Sequence, residues 1–166
     1  MPAPSNFSML GVGNQNGNIA TVSEDGVLKS SYEYDALNQL VREDDATFGL
    51  TFEYGYDSGG NMATVGFHPY TTGALGQPFF EYTLGYGNAD WPDQMTSFVD
   101  YEFGYDELGN MLYYDSPYMR VVDFRWEKGR QLAEYTAPDV DRNVKFKYDH
   151  NGLRTQKTVV DLKNHI

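Results

Sequence analysis

The sequence predicts an all-β protein in which consecutive antiparallel β-hairpins form one long twisted sheet. Tyr101, Phe103 and Tyr105 are two residues apart, so their side chains would lie on one face of an extended strand. Asp106 favours a turn after this strand, because its carboxylate readily accepts hydrogen bonds from nearby backbone N–H groups. Gly109 can adopt the positive φ that a tight turn requires, and apolar residues resume on the returning strand.

This unit recurs at intervals of about 20 residues, a period typical of repeat proteins. Each complete copy has two aromatic residues two positions apart, then an acid, then Gly or Asn. The five copies comprise Tyr32, Tyr34, Asp35 and Asn38; Tyr54, Tyr56, Asp57 and Gly60; Phe103, Tyr105, Asp106 and Gly109; Phe124, Trp126, Glu127 and Gly129; and Phe146, Tyr148, Asp149 and Gly152. A degenerate sixth copy lies around Tyr82 and Tyr86. In four copies the Gly or Asn follows the acid by three positions, where we expect positive φ.

The segments between the copies predict turns and loops. Residues 1–15 are expected to be a poorly ordered lead-in, residues 16–160 the repeat domain, and residues 161–166 a C-terminal tail. Glu24 to Gly26 predicts a hairpin loop. Residues 68–78, interrupted by Pro69 and Pro78, predict a protruding loop, and residues 86–92 a second one. No segment has a convincing 3.6-residue periodicity, so almost no helix is expected.

The pattern Tyr-x-Tyr-Asp-x-x-Gly resembles the YD repeat, also called the RHS repeat. This repeat occurs in bacterial Rhs and wall-associated polymorphic toxins, in insecticidal toxin-complex subunits and in animal teneurins. The resemblance covers roughly residues 16–160, and the runs 124–132 and 148–154 resemble the C-terminal repeats of long Gram-positive members. It implies a fragment of about six repeats from the wall of a shell. The implied role is structural, in a casing or stalk of a larger bacterial surface or exported protein that holds another module.

Composition excludes several classes of partner. The net charge of −12 argues against nucleic acid and against anionic membrane surfaces, since both require clustered Lys and Arg. No stretch approaches the roughly 20 apolar residues that cross a bilayer, and the first residues do not resemble a secretory signal. The chain has no Cys, so it has neither disulfides nor thiolate metal sites. The resemblance therefore implies an extracellular or cell-surface location only as part of a larger protein.

The candidate chemical groups favour structure over catalysis. His68, His150 and His165 are isolated in the sequence, and no nucleophile motif is present. The acids recur once per repeat, which is typical of turn residues, whereas catalytic acids occur once or as a pair. Residues 57–61 only loosely resemble a calcium loop. The chain contains no Asp-Pro dipeptide, so the self-cleavage of larger relatives is not expected. We expect no enzyme activity, no cofactor and no metal.

The aromatic pairs allow two interpretations. They can stack between neighbouring strands as the buried face of the sheet, with Trp126 and Tyr148 mostly buried. Alternatively, an exposed row of rings, or the loop between Pro69 and Pro78, can bind a glycan or a cell-surface partner, an activity proposed for the resembling family. We favour the structural interpretation, because a feature present in every repeat indicates a structural need. An open sheet also predicts self-association into a homo-oligomer, most simply a dimer, or pairing with neighbouring repeats.

Overall fold

A computed structural model describes residues 16–137 and 141–161. These ranges contain β-strands and no helix. The strands are β1 (Thr21–Glu24), β2 (Val27–Tyr34), β3 (Leu40–Asp45), β4 (Leu50–Tyr56), β5 (Met62–Pro69), β6 (Phe80–Gly85), β7 (Ser97–Phe98), β8 (Tyr101–Tyr105), β9 (Met111–Ser116), β10 (Met119–Glu127), β11 (Gln131–Ala137), β12 (Arg142–Tyr148) and β13 (Arg154–Asp161). The predicted lead-in and most of the predicted tail lie outside the described residues. No helix in the described part could cross a membrane.

The described residues divide into two compact units, of which the first ends at Leu84 and the second begins at Gly85. In the first unit, β1 to β6 pair in sequence order. In the second, β7 to β13 do the same. All of these pairings are antiparallel, so the predicted all-β fold of consecutive hairpins is confirmed.

Alternation along the strands gives the sheet of each unit an aromatic face and a polar face. In the second unit Phe103 pairs with Tyr114, and Phe124 pairs with Tyr135, which places these rings on one face. The residues that alternate with these aromatics along each strand, such as Glu102, point to the opposite face. The buried apolar side chains among the described residues are small and belong to this unit: Val122, Ala133, Ala137 and Val144.

The second aromatic of every complete copy lies at a β-bulge. The pairing register shifts by one residue immediately before Tyr34, Tyr56, Tyr105, Trp126 and Tyr148. In the third copy, Gly104 pairs with Tyr113 but Tyr105 pairs with Met111, so the returning strand contains one extra residue. A bulge bends its strand and redirects the adjacent side chains. The two aromatics of a copy therefore lie in different environments.

The expectation of a protruding loop at residues 68–78 is wrong, because this segment folds onto the polar face of the first unit. The backbone oxygen of Thr71 accepts hydrogen bonds from Thr51 Oγ1 at 3.0 Å and from the Arg42 guanidinium at 2.7 Å. Arg42 Nε also lies 2.7 Å from Asp44 Oδ1. Thr51 is 0% exposed and Asp44 6% exposed, so the segment buries a polar cluster whose groups bond to one another.

Candidate functional site

The repeat turns are closed by the acid that the sequence pattern identifies. In the third copy Asp106 Oδ1 accepts hydrogen bonds from the backbone N–H groups of Leu108 and Asn110, at 2.9 and 2.8 Å. The Asp106 N–H donates to the oxygen of Asn110 at 2.9 Å, and the Gly109 N–H donates to the oxygen of Asp106 at 3.0 Å. Equivalent bonds form in the turns that begin at Asp35, Asp57 and Asp149. Each turn thus uses its own acid to satisfy its own backbone.

The turn position three residues after the acid adopts the expected left-handed conformation. Gly109 has φ 77° and Asn38 has φ 63°, and the corresponding residues Gly60 and Gly152 also have positive φ. Asn is among the few residues with a side chain that tolerate this region. Asn38 therefore substitutes for glycine without changing the turn.

Two of the turn acids have carboxylates stabilised in the ionised form. The side-chain amide of Asn110 donates to Asp106 Oδ2 at 2.8 Å and, as the largest effect, lowers the pKa of Asp106. Asn61 acts in the same way on Asp57, whose pKa is also lowered. Both carboxylate oxygens of Asp57 therefore accept hydrogen bonds from N–H groups of its own turn. Residues 57–61, which loosely resemble a calcium loop, use this carboxylate to close the turn.

The fourth copy builds a different turn. Positive φ occurs at Lys128 (48°) and Gly129 (84°), the first and second positions after Glu127. The Glu127 carboxylate contacts Arg125 rather than the turn backbone. This copy differs from the other four in two ways. Its acid, Glu127, has one more methylene than Asp, and its glycine follows the acid by two positions instead of three.

The second aromatic of each complete copy donates a hydrogen bond to a backbone oxygen 10 to 16 residues earlier in the chain. The donor–acceptor pairs are Tyr34 with Ile19, Tyr56 with Leu40, Tyr105 with Met95, Trp126 with Met111, and Tyr148 with Leu132, at 2.6 to 3.0 Å. We call these the repeat-linking hydrogen bonds. Leu132, the acceptor for Tyr148, is itself the strand partner of Trp126. The acceptors Leu40, Met111 and Leu132 lie in the returning strand of the preceding hairpin, whereas Ile19 and Met95 lie just before β1 and β7. The bonds therefore connect each copy to the segment before it.

Burial raises the pKa of two of these donors. Desolvation raises the pKa of Tyr105 and of Tyr56, and the charge of Asp35 acts in the same direction on Tyr56. Trp126 and Tyr148 are partly exposed, but the larger part of each residue is buried, as the sequence predicts.

The first aromatics form a ladder of ring contacts across the aromatic face. In the second unit the ladder comprises Phe103, Tyr114, Phe124, Tyr135 and Phe146, with successive ring centroids 6.2 to 6.4 Å apart. The sequence pattern missed Tyr114 and Tyr135, which lie on returning strands. Both follow the first apolar residue of the returning strand by three positions, and this spacing could have identified them.

A groove of about 900 Å³ opens on the polar face of the second unit. Its walls are residues 87–96, which we call the Trp91 loop, and parts of β8 and β9. The lining residues are Gly87, Asn88, Asp90, Trp91, Gln94, Thr96, Ser97, Glu102, Phe103, Tyr105, Asp106, Glu107 and Tyr113. Side chains of sheet and loop thus converge on one cavity.

Two aromatic rings in the groove lie against glycines. A Cβ added at Gly109 would lie 2.7 Å from the Trp91 ring, and one added at Gly104 would overlap the Tyr113 ring. Each ring can lie this close to the backbone only because the residue beneath it is a glycine. Trp91 remains 43% exposed and Tyr113 41% exposed, so both also present ring surface to solvent.

Residues 34–66 match the family model of the RHS Repeat. The chain carries an RHS repeat. The resemblance to YD/RHS repeats drawn from the sequence is thereby confirmed, and the match includes the turn at Asp35 and the copy that contains Tyr54 and Tyr56.

Solved structures include a neighbour described as the crystal structure of TcdB2-TccC3-TEV. The similarity covers 92% of this chain, with 11% sequence identity and a TM-score of 0.45. This chain spans 10% of the length of that chain. A search of curated protein sequences found no match.

Two of the three histidines, His68 and His150, lie among the described residues. His68 lies in β5 and is 2% exposed, which corrects its assignment to a loop. Its Nε2 atom lies 3.4 Å from Glu53 Oε2 but forms no hydrogen bond. His150 lies in the turn after Asp149, and His165 is outside the described residues. Among the residues that are described, no three His, Asp or Glu side chains are placed to hold a metal ion.

Proposed function

We propose that the chain is a non-catalytic structural repeat module of a larger protein. The observation that carries this proposal is the set of repeat-linking hydrogen bonds, because all five complete copies use their second aromatic to bond a backbone oxygen 10 to 16 residues earlier in the chain. A group that forms the same contact in every copy serves the construction of the repeat array.

The polar atoms of the repeat motif support this role. The carboxylates of Asp35, Asp57, Asp106 and Asp149 bond the backbone of their own turns. The Tyr hydroxyls and the Trp126 indole N–H bond backbone oxygens. These groups are thus occupied in holding the fold, and their stabilisation of the array is what a casing or stalk requires.

The wider setting belongs to the same proposal. As part of a casing or stalk, the module would lie at the bacterial surface or outside the cell, within a polymorphic-toxin-like protein. Its partners would be neighbouring repeats, or a second copy of the chain as a homo-oligomer. The RHS repeat and the half-buried aromatic faces of the two units support this assignment.

A stability series combined with a glycan array tests the proposal. Replacing Tyr34, Tyr56 or Tyr148 by Phe should lower the free energy of unfolding, since each change removes only a hydroxyl that donates a repeat-linking bond. The wild-type chain should give no hits on the array. Unchanged stability in all three variants would contradict the structural role of these residues.

A carbohydrate- or cell-surface-binding module is the second candidate. It is favoured by an aromatic cluster in the first unit, where the Phe80 ring is 4.9 Å from Tyr82 and 5.7 Å from Phe67 between centroids. Phe80 is 46% exposed, so this cluster offers a surface for stacking on sugar rings. Array hits that are lost in Phe80→Ala would move this candidate to first place.

A further inference from the structure

The groove beside the Trp91 loop has a chemistry that the structural role does not use. Acidic side chains line it at Asp90, Glu102, Asp106 and Glu107, and no Lys or Arg does. Asp106 is committed to its turn. For the other three acids, the described part of the chain provides no salt-bridge partner.

We propose that this groove binds a basic peptide segment through its arginine or lysine side chains. The exposed rings of Trp91 and Tyr113 would stack on a guanidinium or ammonium group, and Glu102 and Glu107 would form ion pairs with it. Cations are attracted to the faces of Trp and Tyr rings, and Arg in particular combines stacking with bidentate bonding to a carboxylate. The inference goes beyond the scaffold function and does not depend on it.

The volume and walls of the groove suit a peptide. Its volume of about 900 Å³ lies within the range of about 300–1,000 Å³ that is typical of ligand pockets. The Trp91 loop is held in place before any ligand arrives. Asn88 Nδ2 donates to Gln94 Oε1 at 2.8 Å, and the Gly87 N–H donates to Thr96 Oγ1 at 2.9 Å. A wall that is already ordered reduces the entropy lost on binding.

Charge decides between a basic ligand and a neutral one. Covering the carboxylates of Glu102 and Glu107 with a neutral molecule removes them from water without an opposite charge, which is costly. A cationic side chain compensates that loss, and the net charge of −12 draws cationic ligands toward the protein. Charge complementarity therefore favours a basic peptide over a neutral saccharide.

The test measures binding of a short peptide in which arginine alternates with glycine, by titration calorimetry on the full chain. The control ligand replaces each arginine with citrulline, which has nearly the same shape but no charge. We expect binding of the arginine peptide only, and a loss of affinity between about 20 mM and about 500 mM salt, because screening weakens exposed ion pairs.

Variants locate the site. Glu102→Gln with Glu107→Gln should weaken binding by about tenfold or more, since charge-assisted hydrogen bonds are lost. The matched control, Glu33→Gln with Glu81→Gln, removes two exposed acids of the first unit and should change affinity less than about twofold. Circular dichroism of each variant checks that the fold is retained.

Several results would overturn the proposal. These are no binding of the arginine peptide at low salt, equal binding of the citrulline peptide, or equal weakening by the two double variants. Salt-independent binding of a neutral oligosaccharide in the groove would assign it to a different ligand class. None of these results would change the unfolding series that tests the structural role, so the two proposals fail separately.

Discussion

Replacement of Gly109 by Ala tests the turn and the Trp91 contact together. Gly109 has φ 77°, a region in which a residue with a Cβ costs about 1–2 kcal/mol. The added Cβ would also lie 2.7 Å from the Trp91 ring, which must then move. Overpacking of this kind costs about 1–3 kcal/mol. Gly109→Ala should therefore lower the free energy of unfolding by about 2–5 kcal/mol, as the sum of these two effects.

Gly129→Ala is the matched control for the backbone effect alone. Gly129 has φ 84°, but the nearest atom to its added Cβ is Leu108 Cδ1 at 3.8 Å, an ordinary contact. This variant should lose only about 1–2 kcal/mol. Urea unfolding followed by circular dichroism measures both values, and tryptophan fluorescence reports the displacement of Trp91 in Gly109→Ala. Equal losses in the two variants, with unchanged fluorescence, would refute the role assigned to the ring contact.

Three further predictions concern the repeat bonds, the turn acids and association. Tyr148→Phe should cost about 0.5–1.5 kcal/mol in urea unfolding, because it removes one net hydrogen bond. Tyr118→Phe, at an 82% exposed residue, should leave stability unchanged. The lowered pKa of Asp106 stabilises the fold above the ordinary Asp pKa, and this contribution is lost as the pH falls through the lowered value. Asp106→Asn should therefore flatten the acid limb of the stability curve, and an unchanged limb would contradict this. Light scattering at micromolar concentration in about 150 mM salt should show a symmetric dimer, and a clean monomer would refute self-association.

The turns were predictable because their chemistry is local. An acid followed three residues later by Gly or Asn contains both the hydrogen-bond acceptor and the residue that tolerates positive φ. Asn38 and Gly109 accordingly have the expected conformation. The fourth copy departs from the others because Gly129 follows Glu127 by two positions, so its residues with positive φ are the first and second after the acid instead of the third.

Contacts between distant segments were not predictable in the same way. The fold of residues 70–79 onto the sheet depends on hydrogen bonds between Thr51 and Thr71, which are 20 residues apart, and neither residue belongs to a repeated pattern. The groove likewise depends on Trp91 lying over Gly109, a contact between a loop insertion and a turn. The hydrogen-bonding role of the second aromatic was also missed, since a bulge redirects its side chain and the sequence does not show the bulge.

The sequence-order pairing of the strands has a consequence for how the polypeptide folds as it is synthesised. Within each unit, every strand after the first finds its partner in the strand that left the ribosome just before it. Such short-range pairing keeps loop-closure entropy small and allows rapid folding from the N-terminal end onward. Each repeat-linking hydrogen bond reaches back no more than 16 residues, so a newly emerged hairpin can lock onto finished structure before the next one appears. A sheet built in this way needs no distant strand to complete the strand pairs that have already formed.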